Sequence, residues 1–118
     1  MRKIARCDDN QPEIVNGIRA MGCTVQILSA VGHGCPDILV GVAGINLLME
    51  IKDGSKVESA TKLTPDQVKW HGEWRGQVHV VKSIDHAIRI INYVRVHGVA
   101  PIPEKEQGHG QYSPLQRK

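Results

Sequence analysis

Apolar residues recur along this chain in two periods, and the switches between them mark its elements. Ile14, Ile18 and Met21 fall on one helical face, and Gly22 stops that helix. Asn10 is placed to cap it, Pro12 suits its first turn, and Glu13 stands where a capping box takes an acid. "TVQIL" (24–28) alternates as a strand does, and "SAVGHGC" is a glycine-bearing loop. Two more strands, 37–42 and 45–51, precede a polar linker, "KDGSKVESATK". A second helix starts in "LTPDQVKWHGEW": Thr64 caps, Pro65 takes the first position, Gln67 completes a T-x-x-Q capping box and Leu63 can staple onto Val68. "QVHVV" (77–81) is a fourth strand. A third helix, "SIDHAIRIINYVRVHG", sets Ile84, Ala87, Ile88 and Ile91 on one face, with Gly98 as its stop.

The order is α-β-β-β-α-β-α. A helix between strands three and four implies a crossover, hence an α/β fold with a mixed four-stranded sheet flanked by helices. Residues 1–100 form one domain. Residues 101–118, rich in Pro, Gly and Gln, are expected to be a flexible tail or a docking arm.

Composition narrows the classes. A chain of 118 residues supports a single core. A formal charge of +3 is compatible with a polyanion partner. With no Phe and 3% aromatic residues, a base-stacking surface is not expected, and Trp70 and Trp74 are assigned to the core. Cys7, Cys23 and Cys35 form no CxxC pair, so neither a zinc site nor a disulfide framework is expected; they read as small apolar fillers. His71, His79 and His86 lack a second His at ligand spacing. No run reaches membrane-spanning length and the charged start is no signal peptide, so the expected setting is the cytosol, with no membrane partner.

The candidate chemistry sits at the open end of the central hairpin, "PDILVGVAGINLLMEIK" (36–52). With Ala43 and Gly44 as a two-residue turn, Val42 faces Ile45 and Asp37 faces Glu50, with Cβ atoms roughly 4.5–5.5 Å apart. A four-residue loop, 41–44, is the alternative, because Ala is a poor first residue for a primed turn. It makes Asp37 a diagonal neighbour of Glu50 on the same face. Lys52 shares the side of Glu50 on its strand. Two opposed carboxylates destabilise a sheet unless a positive group lies between them, and a divalent cation suits such oxygen donors. Solvated strand ends are the plainer reading of these three residues.

"PD" at 36–37, followed after a strand by "EIK" at 50–52, resembles the PD-(D/E)xK motif of the restriction-endonuclease-like nucleases. With Glu13 in the leading helix, the "GHGCPD" approach and "LTPDQVKW", the chain resembles one branch, the VRR-NUC (virus-type replication-repair nuclease) domain, over about residues 10–95. The resemblance implies an αβββαβ core and metal-dependent hydrolysis of DNA phosphodiesters. Small stand-alone members resemble Holliday-junction resolvases acting as homodimers on four-way junctions.

It also implies roles. Asp37 and Glu50, with Glu13 and the carbonyl of Ile51, would hold Mg²⁺ or Mn²⁺. Lys52 would position the attacking water or neutralise the developing charge. Gln67 would contact Lys52 or the phosphate, although the capping box alone explains a Gln there. Lys56 and Lys62, with Arg2, Lys3 and Arg6, could line a DNA track.

Overall fold

The central hairpin sets the sheet. Ala43 and Gly44 have φ of 51° and 78°, the left-handed conformations of a two-residue primed turn. An alanine there costs roughly 1–2 kcal/mol, which the register it fixes must outweigh. Val42 lies opposite Ile45, and pairing runs without slip to Ile38 opposite Met49.

The computed structural model describes residues 8–104. Its elements are α1 (Gln11–Ala20), β1 (Thr24–Ile27), β2 (Ile38–Val42), β3 (Ile45–Ile51), α2 (Glu58–Thr61), α3 (Pro65–Glu73), β4 (His79–Val81) and α4 (Ile84–His97). The expected order holds with one addition: the polar linker contains the single helical turn α2. The strands lie in the order β1-β2-β3-β4. β1 and β3 pair antiparallel with β2, whereas β4 is parallel to β3, and α2 and α3 make the crossover this requires.

The sheet has two unlike faces. Ile38, Val40, Leu47, Met49 and Ile51 point toward the main core, where α1 supplies Ile14, Val15 and Ile18. The buried stripe of α4 is Ala87, Ile90, Ile91 and Val94. Ile88, expected in that stripe, is only half-buried, because the helix settles a little further round its axis. Leu39, Leu48 and Glu50 alternate to the opposite face, on the α3 side.

Two local expectations change. Asn10 does not cap α1 with its side chain. Its Nδ2 instead donates to the carbonyl of Lys52 at 3.1 Å and reaches that of Lys82 at 3.5 Å. β4 starts at His79 rather than residue 77, because the Gln77 side chain replaces a backbone rung: Oε1 accepts from Leu48 N at 3.0 Å and Nε2 donates to Leu48 O at 2.9 Å. Just past the expected end of the domain, the chain is tied back to the sheet: His79 Nε2 donates to the Pro101 carbonyl at 3.2 Å. Burial lowers the pKa of His79 to about 4, keeping the ring neutral for that bond. Residues 105–118 of the expected tail lie outside the described residues. Among the described helices none is long and apolar enough to cross a membrane.

Candidate active site

Asp37 stands where β2 meets its neighbours, and its backbone is pinned on both sides. Its N–H donates to Met49 O at 3.1 Å, and its carbonyl accepts from Leu28 N at 2.7 Å. The side-chain Oδ2 accepts the Ile51 N–H at 2.7 Å. These bonds turn the carboxyl toward β3, where Glu50 is 2% exposed.

Glu50 Oε2 accepts from Gln67 Nε2 at 2.9 Å and lies 3.9 Å from Lys52 Nζ. The Lys52 backbone is fixed as well. Its N–H donates to Val81 O at 2.9 Å, and its carbonyl takes the Asn10 amide. The next residue, Asp53, donates its N–H to Asp8 Oδ2 at 2.7 Å. The strap formed by residues 8–10 thus holds the end of the strand that carries Glu50 and Lys52.

Gln67 serves two elements. The capping box of α3 forms as expected: Thr64 Oγ1 accepts from Gln67 N, and Thr64 N donates to Gln67 Oε1 at 2.9 Å. The amide nitrogen left over reaches Glu50 rather than Lys52. The loop before Asp37 presses on the same turn of α3. Gly34 has φ +83°, and a Cβ there would sit 2.3 Å from Asp66 O. His33 beside it has φ 58° and faces solvent.

The electrostatics follow from burial. Burial first, then the charge of Asp37, pushes the pKa of Glu50 up to about 9. Asp37 is raised too, chiefly by burial. Asp8 pushes both the same way, while Lys52 opposes it. The two carboxyls are within hydrogen-bonding reach of each other, so at neutral pH the pair retains a proton between them. Glu50 Oε1 is buried and receives no hydrogen bond from any described donor. Two convergent carboxyls with an orphaned, buried oxygen fit a small divalent cation held by Asp37 and Glu50. Among the described residues, no group of three or more His, Cys, Asp or Glu gathers into a metal-holding cluster. The half-buried Cys35 is also near, and burial followed by the charges of Glu50 and Asp37 keeps its thiol protonated.

A solved structure described as a VRR_NUC domain matches this chain with a TM-score of 0.50 and 27% sequence identity. The match covers 74% of this chain and 90% of that one. The chain has the VRR_NUC fold. No family model matches it, and the search of curated proteins returns no match.

On this VRR_NUC framework the structure brings together Asp37, Glu50, Lys52 and Gln67, but does not gather every residue singled out in the sequence. Glu13 is exposed in the first turn of α1 and has no hydrogen bond or ion pair among the described residues. The acid from that end of the chain whose charge reaches the pair is Asp8. Its place in the sequence ahead of α1 gives no sign of this, because the strap that carries it is a tertiary contact. Lys56 is exposed and paired with Asp9 at 2.9 Å. Lys62 is exposed. Arg6 lies outside the described residues, as do Arg2 and Lys3.

The tryptophans are not core. Trp70 is half-buried and Trp74 is 43% exposed. Their rings stack with centroids 4.6 Å apart and planes 19° from parallel. Together with Leu28, Cys35, Leu39 and Leu48 they border a cavity of about 470 Å³. Leu39 and Leu48 are outward positions of β2 and β3, which the main core leaves uncovered.

Proposed function

We propose that this protein is a divalent-metal-dependent DNA endonuclease that hydrolyses phosphodiester bonds. It is selective for branched DNA in the manner of a Holliday-junction resolvase and acts as a homodimer. One observation carries the reading: the convergence of Asp37 and Glu50 at a buried, orphaned oxygen, with the Lys52 ammonium 3.9 Å from Glu50. The likeness to a VRR_NUC domain supports it.

Asp37 and Glu50, with the Ile51 carbonyl as a further donor, would hold Mg²⁺ or Mn²⁺, which would supply charge stabilisation and an acidified water. Asp37 and Glu50 would give up their shared proton to bind it. Gln67 holds Glu50 Oε2, leaving Oε1 free to serve as a donor. Lys52 offsets negative charge building on the phosphoryl oxygens. The products are 5′-phosphate and 3′-hydroxyl ends. Glu13, exposed on α1, takes no part in this set.

Labelled four-way junction, flap and plain duplex DNA, incubated with purified protein in Mg²⁺ or Mn²⁺, test the proposal. Paired symmetric nicks on the junction, lost with Asp37→Asn, Lys52→Ala or a chelator, are the expected outcome. Equal digestion of all three substrates would favour a flap or general nuclease of a replication machine. Binding without cleavage under every divalent metal would favour a DNA-binding protein that kept the fold without the chemistry.

A further inference from the structure

The proposed chemistry leaves the tryptophan cavity unexplained. It opens on the same sheet face as the carboxyls. Leu39 follows Asp37 by two residues on β2, and Leu48 precedes Glu50 by two on β3, so each lies ~7 Å along its strand from the acidic end. Among the described residues no charged side chain lines the cavity. Its apolar floor of Leu28, Leu39 and Leu48 is bordered by the stacked pair, in which Trp70 backs Trp74 and Trp74 remains 43% exposed.

Gly76 is what permits that placement, since a Cβ there would come within 2.9 Å of Trp74 Nε1. The surroundings divide by chemistry. The acidic end, with Lys52 and the cation its carboxyls would hold, suits an anionic phosphodiester. The uncharged aromatic cavity beside it suits a flat, neutral, partly apolar group of modest volume.

We infer that the cavity bordered by Trp70 and Trp74 is a stacking site for one unpaired nucleobase of the DNA strand whose phosphodiester lies at Asp37 and Glu50. The inference rests on the nuclease reading for the neighbouring phosphodiester. The occupant follows from the uncharged walls and from continuity with the acidic end: the next uncharged moiety along a nucleic-acid strand is a base. Bases stack on aromatic rings whatever their sequence, so the site favours unpaired nucleotides over intact duplex without reading sequence. Branch points and strand ends supply such nucleotides.

Trp70 and Trp74 are the only tryptophans of the chain, so its intrinsic tryptophan emission reports on this place alone. The test uses the full chain in a chelator, which stops cleavage, titrated with a short single-stranded oligonucleotide and with an abasic strand of equal length. The expected result is saturable quenching by the oligonucleotide and roughly tenfold weaker binding of the abasic strand. Trp74→Ala, followed by fluorescence anisotropy of labelled DNA, should weaken the base-containing strand about tenfold and leave the abasic one unchanged. Gly76→Ala, which displaces the ring without removing it, should weaken in the same direction. That variant keeps the test decisive if Trp74→Ala unfolds.

Equal affinity for the two strands would overturn the inference. So would emission that shifts with protein concentration alone, in step with sedimentation as a dimer, because the patch would then be a contact between copies. Junction cleavage without quenching would sink this site and leave the nuclease reading standing. Quenching without cleavage under any metal would do the reverse.

Discussion

At the scale of single residues, Glu50 governs behaviour with pH. Its folded-state pKa is raised from the ordinary 4.5 to about 9, so the metal-free fold holds this proton more tightly than the unfolded chain does. That contribution to stability is complete below about pH 4.5 and is lost as the pH rises toward 9. Thermal denaturation of chelated protein should therefore show a downward slope across this window, and Glu50→Gln should flatten it. A bound divalent cation must displace the same proton. Metal affinity measured calorimetrically should accordingly strengthen as pH rises from 6 to 9, with net proton release on binding seen as a dependence on buffer ionisation enthalpy. Gln77 offers a residue-scale prediction of another kind. Gln77→Ala leaves the N–H and carbonyl of Leu48 without these partners, and urea midpoints should report a loss of roughly 1–3 kcal/mol.

At the scale of elements, the coupling of the Gly34 loop to α3 predicts how the site fails. Gly34→Ala combines a left-handed backbone with a Cβ driven into Asp66 O, so the loop and the first turn of α3 must part. A destabilisation of roughly 1–3 kcal/mol is expected from urea unfolding. Cleavage should fall more than in Thr64→Ala, which removes only the cap. The hairpin with Asp37 and Glu50 on one face, the α3 capping box and the crossover were legible in the sequence because each is set by local chemistry: an even register shift for either turn, a T-x-x-Q pattern, a strand-helix-strand order. What was hidden is tertiary. Asn10 has the residue type of a cap, and nothing near it reveals that its amide is diverted to Lys52. The tryptophans satisfy the helical period of an inward face. Only the sheet beneath α3 shows that this inward face opens on a cavity instead of a closed core.

For the whole molecule, a 13.0 kDa chain with a charge of +3 carries little field for holding DNA by itself, and Lys56 is already paired with Asp9. Affinity should therefore depend on assembly. Sedimentation of the protein with a four-way junction should give a complex containing two chains, matching the two-fold symmetry of the junction. Binding should weaken as salt rises from 50 to 200 mM, with a slope that counts the phosphates neutralised.

The double engagement of Gln67 has a consequence for anyone seeking a hardier version of this protein. Glutamate is the other residue a capping box accepts, and a negative group in the first turn suits the helix dipole. Gln67→Glu would pass as a sensible consolidation of α3. It would also aim a third acid at Glu50, replacing a donor with a repelling acceptor where the present amide holds that carboxyl still. Better helix, poorer catalyst: the one side chain ties those outcomes together, and selection for heat resistance alone would push it the wrong way.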